Sequence, residues 1–115
     1  MRHQTKGKKF GRTRNQRKAL LRTLAVSLVS KEKIKTTTAK AKELKPFVER
    51  LVTYAKKDNV ASKRTLVSLI GKKPTQKLVD NIALRYKNRS GGYVRIIKLP
   101  PRKTDGSEMS FIEFV

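Results

Sequence analysis

The residues best suited to chemistry lie in NRSGGYVRII, residues 88–97, where Gly91 and Gly92 stand between Arg89 and a run carrying Tyr93 and Arg95. Paired glycines let backbone approach phosphate closely, a guanidinium fork matches phosphate oxygens, and a phenol stacks on bases or hydrogen-bonds. Phosphate recognition is the chemistry to test. A nucleotide cradle runs from strand through glycine loop to helix N-terminus, so that amides and the positive dipole end meet the phosphate. The order here is reversed, with helical periodicity ending near Lys87 and strand composition beginning at Tyr93. The glycines therefore read as a helix-ending turn that needs positive φ, and such a turn is compatible with a grip on a sugar-phosphate chain. A second stretch, GKKFGRT at residues 7–13, lacks one residue between its glycines and has Arg12 where the phosphate loop G-x-x-x-x-G-K-[ST] requires lysine.

Catalytic constellations find little support. His3 is the single histidine and the chain has no cysteine, so two-histidine ribonuclease chemistry, thiolate nucleophiles and thiolate metal sites are absent. His3 reads better as a stacking or hydrogen-bonding partner for a base or phosphate. The eight carboxylates are scattered, and Asp105, Glu108 and Glu113 have no close acidic companion in sequence, which gives a magnesium-dependent nuclease no local basis. They read as ion-pairing groups of a basic domain. No cofactor, metal or small-molecule substrate is expected.

Charge speaks more strongly. Thirty Lys and Arg against eight Asp and Glu give +22, whereas a small soluble domain is comfortable at a magnitude of roughly 2–8. Self-repulsion on that scale calls for a polyanion. No apolar run approaches the roughly 20 residues of a membrane span, so the expectation is a soluble, cytosolic protein that avoids membranes. The basic N-terminus could also be read as an organelle transit peptide, but the chain leaves little room for a separate mature domain behind one.

These side chains need elements to hold them. Residues 1–13 are basic, contain Gly7 and Gly11, and have almost no apolar side chains, so they read as an extended arm that orders on its partner. Residues 14–115 read as a single domain. Leu21, Leu24, Ala25 and Leu28 recur at helical spacing, with Arg14, Arg17, Lys18 and Arg22 largely on other faces. A strand is predicted over 33–37, with Thr38 capping a helix over 39–57 that Pro46 kinks. Asp58 and Asn59 mark a turn and cap, VASKRTLVSLI reads as a helix that Gly71 ends, and Pro74 opens a fourth helix with Leu78, Val79, Ile82, Ala83 and Tyr86 buried. Two terminal strands joined around Asp105-Gly106 form an antiparallel hairpin. About four helices beside a small sheet make the fold class α+β.

In their order and spacing, MRH, KFGRTRNQRKALLRTLAVSLV, IKTT, AKELKPFVE, RSGGYVRI and FIEFV resemble family seventeen of the bacterial-type large-subunit ribosomal proteins. Gln16, where histidine is common, and Val94, where threonine is common, depart from its pattern. The resemblance implies an α+β fold with a three-stranded mixed sheet. It also implies a non-enzymatic structural constituent of the large subunit, bound to 23S-type rRNA near the polypeptide exit region beside other ribosomal proteins, and not a homo-oligomer. By position, Arg2, His3, Lys6, Lys8, Lys9, Arg12, Arg14, Arg17, Lys18 and Arg22 would follow the RNA backbone. Lys35, Thr36 and Thr37, with Arg89, Ser90, Gly91, Gly92, Tyr93 and Arg95, would form a second contact surface. The alternative from charge alone is a free architectural protein of nucleoid type.

Overall fold

A computed structural model describes residues 13–115. Arg2, His3, Lys6, Lys8, Lys9 and Arg12, expected to follow the RNA backbone, lie outside them. The first helix, α1 (Arg14–Lys31), opens on a capping box: Thr13 Oγ1 accepts from the Gln16 amide at 3.3 Å, and Gln16 Oε1 accepts from the Thr13 amide at 3.1 Å. It ends at Glu32, whose left-handed conformation (φ 66°) turns the chain into β1 (Lys33–Thr37). Next come α2 (Thr38–Lys57), α3 (Val60–Ile70), capped by the Asn59 side chain, and α4 (Lys72–Lys77).

Pro46 lies within α2, which continues through it as one helix, and Pro46 is exposed where the carbonyl deprived of an amide partner can turn to water. Residues 72–85 form the fourth helical stretch. Within it, Leu78–Ile82 is a π-helical turn closed by the Ala83 amide on the Leu78 carbonyl, followed by α5 (Ala83–Arg85). Sequence periodicity predicts the buried face, and Leu78, Ile82, Ala83 and Tyr86 do point inward, while Val79 is only partly buried against the core.

Two expectations need correction. Thr37 rather than Thr38 caps α2, accepting from the Lys40 amide; Thr38 is the first helical residue, and its hydroxyl meets that of Ser110 at 2.7 Å inside the core. The sheet is antiparallel throughout, not mixed: β2 (Val94–Leu99) and β3 (Met109–Phe114) form the predicted hairpin, and β1 pairs antiparallel with the other edge of β3. The order β1-β3-β2 places the strand latest in sequence at the centre. Helices cover one sheet face, with Leu28, Leu44, Leu51, Leu66, Leu78 and Ile112 fully buried between the layers.

Glu32 ties three elements together. Its carboxylate pairs with Arg85 and, at 3.5 Å, with Lys77, while its carbonyl accepts from the Phe114 amide at 3.2 Å. The Arg85 hydrogen bond, opposed by burial and aided by the charges of Arg85 and Lys77, holds this carboxyl below its ordinary value near 4.5. A depressed folded-state pKa gives stability that is fully present above the unfolded value and lost as pH falls through the folded one. Thermal unfolding of E32Q is therefore expected to be lower than that of the parent at pH 7, by roughly 1 kcal/mol or less for a partly exposed network, with the two converging at acid pH. A constant gap between them down to pH 2 would contradict this.

Candidate nucleic-acid interface

Arg14, Lys18 and Arg22 recur every fourth residue along α1, with Arg17 beside them, so they share one side of the helix. The first fully buried residue of α1 is Ala25, which leaves this basic half standing out from the core. Among the described residues no carboxylate pairs with any of the four. Lys18 and Arg22 also flank a groove floored by Leu21, Phe47 and Leu69. Four of the eight carboxylates are taken up in ion pairs elsewhere: Glu32 as above, Asp58 with Lys63, Asp105 with Arg102 and Glu113 with Arg95. The Arg102 fork and the Ser107 amide hold the Asp105 carboxyl well below the usual range. Among the described residues no cluster of His, Asp or Glu has metal-binding geometry, and no helix is long and apolar enough to cross a membrane.

The glycine turn is held from within the domain. Lys56 Nζ donates to the Arg89 carbonyl and, at 2.9 Å, to Tyr93 Oη; Tyr93 Oη in turn donates to the same carbonyl at 3.1 Å. The Tyr93 amide donates to Glu49 Oε2 at 2.7 Å. Gly92 adopts φ 64° and so meets the requirement for a left-handed residue, whereas a Cβ at Gly91 would meet nothing within 4 Å. Arg89 is exposed, and its Nε donates to the Gly91 carbonyl at 3.0 Å, folding the side chain over the turn. Ser90, Gly91 and Gly92 are exposed as well.

Not every expected contact residue faces outward. Tyr93 is 2 % exposed, its ring centroid 5.3 Å from that of Tyr86, so the phenol braces the turn and does not present a stacking surface. Tyr86 donates to the Val115 carbonyl, and burial raises its phenol pKa. In KTT only Lys35 offers a free side chain: Thr36 is buried and Thr37 is engaged as the helix cap. Strand alternation places Lys35 and Arg95 on the same outer face of the sheet, and Arg95 lies 3.6 Å from Glu113. Sequence reasoning missed Lys56 and Glu49. Their only signal is a spacing of seven, two helical turns, which sets both on the side of α2 that meets the turn.

The sequence model described as Ribosomal protein L17 matches residues 20–115. The chain is 52% identical over 117 residues to Large ribosomal subunit protein bL17 of Hydrogenobaculum sp. (strain Y04AAS1), covering all of this chain and 99% of that protein. It is 51% identical over 116 residues to the bL17 protein of Rickettsia bellii (strain OSU 85-389), covering 82% of it, and 47% identical to that of Campylobacter concisus (strain 13826), covering 98%. With the match running through α1, the sheet and the glycine turn, this chain belongs to the ribosomal protein L17 family.

Proposed function

We propose that the chain is a structural constituent of the large ribosomal subunit that binds and stabilises its large RNA, with no catalytic step of its own. The carrying observation is the standing half of α1, where Arg14, Arg17, Lys18 and Arg22 line one side with no carboxylate partner among the described residues. Such a face pairs naturally with phosphates along an RNA backbone, where each neutralised phosphate releases a counterion. Arg2, His3, Lys6, Lys8, Lys9 and Arg12 extend the same charge toward the N-terminus, and this reading assigns them to the RNA as an arm preceding a domain over 14–115. Lys35, Arg89 and Arg95 supply further phosphate contacts beside Ser90, Gly91 and Gly92. Tyr93 and Thr37 act indirectly: one fixes the Arg89 backbone, and the other fixes the start of α2 beside Lys35. Neighbouring large-subunit proteins complete the expected surroundings.

An epitope-tagged chain expressed in bacteria is expected to travel with the large subunit through magnesium-containing sucrose gradients and to be released when high salt strips proteins from the RNA. Migration with DNA after ribosomes are removed would instead favour a nucleoid-type architectural protein and overturn the assignment.

A further inference from the structure

The sheet face turned away from the helices carries an arrangement the basic helix does not explain. Alternation along the strands sends Ile34, Ile112 and Ile96 toward the helices and puts Lys33, Lys35, Phe111, Glu113, Arg95 and Ile97 on the other side. Phe111 sits on the central strand, in register with Lys35 on one neighbour and Ile97 on the other. Neither Phe111 nor Ile97 belongs to the core, and Ile97 is 39% exposed. The Lys33 ammonium stands 4.3 Å from the Phe111 ring centroid, and Glu113, the one carboxylate of this set, is already matched to Arg95.

The face thus has an apolar centre with one aromatic ring, edged by cations on both outer strands. An apolar protein surface docked here would bury Lys33 and Lys35 without carboxylate partners, a costly step that protein interface cores avoid. An unpaired nucleotide satisfies both parts at once, with a base over the ring and phosphates on the cations.

We propose that this face is a stacking platform for an unpaired base of RNA, with the base against Phe111 and Ile97 and the flanking phosphates on Lys33, Lys35 and Arg95. The proposal rests on the RNA-binding reading above and adds a second contact, distinct from α1. Filter binding of the full chain to large-subunit RNA transcribed in vitro tests it. F111L is expected to bind about 5- to 140-fold more weakly, with the slope of log affinity against log salt unchanged, because the ring carries no charge. F111W introduces the chain's single tryptophan and is expected to keep binding while its emission falls as RNA is added. If both variants bind like the parent and the emission stays constant, the platform is overturned, although the parent's salt-dependent binding still upholds the broader reading. If F111L binds RNA normally but fails to enter subunits reconstituted with their proteins, the face docks a protein and the platform is likewise overturned. Failure of the parent itself to bind removes both readings.

Discussion

Raising monovalent salt from about 50 to 200 mM is expected to weaken binding of the chain to large-subunit RNA by about 10³–10⁵, the loss for a protein that neutralises roughly 6–10 phosphates. The exposed cations on α1, the outer sheet face and the glycine turn can reach that number together with the basic N-terminal residues. Removing residues 1–12 takes away Arg2, Lys6, Lys8, Lys9 and Arg12, so the slope against log salt should flatten by at most about 3.5–4.5, at roughly 0.7–0.9 per contact. The cut belongs there and not after Thr13, because Thr13 caps α1. A truncation that keeps the cap is expected to leave thermal unfolding nearly unchanged, which separates an RNA-binding arm from a piece of the core. A flat salt response of the full chain would remove phosphate neutralisation as the basis of binding.

Replacing Leu44 by alanine is expected to destabilise the domain by about 2–5 kcal/mol, through lost transfer energy and the cavity left behind. Leu44 is 0% exposed and lies on α2, which packs against α1, α3 and all three strands, so no single neighbour can collapse into the space. Small domains have about 5–15 kcal/mol in all, and each kcal/mol lowers the midpoint by about 4–8 °C at this size. Circular dichroism melts would show the drop. RNA that binds only the native state should restore about 2.7 kcal/mol when present at 100 times its dissociation constant. A loss below about 1 kcal/mol would mean that α2 does not organise the core.

Features set by neighbours in sequence were legible beforehand. The β-branched alternation of KIKTT and the Asn59 and Gly71 boundaries yield β1 and α3 with the bounds observed. Features set by distant partners were not. Thr36, Thr37 and Thr38 are chemically equivalent as caps, and the choice among them depends on Ser110, 72 residues away, which engages the Thr38 hydroxyl. The antiparallel pairing of β1 likewise depends on β3, whose register no local pattern states. At the candidate site, Arg14, Lys18, Arg22, Lys35, Arg89 and Arg95 are exposed as their charge requires. Aromatic residues carry no such sign: Tyr93, expected outside, turns in to brace the loop, while Phe111, unremarked in sequence, sits on the outer sheet face. The π turn at Leu78–Ile82 was equally invisible, since its extra residue preserves an apolar pattern that an ordinary helix would also satisfy.

The placement of β3 between β1 and β2 also orders events during synthesis. β1 and β2 form no ladder with each other, so neither edge has a partner until β3, translated after both, emerges. The helices and their basic face are made earlier and can meet an anionic surface while the sheet is still open. A nascent chain arrested before Met109 would expose two unpaired strand edges, an invitation to aggregation that completing the final hairpin removes.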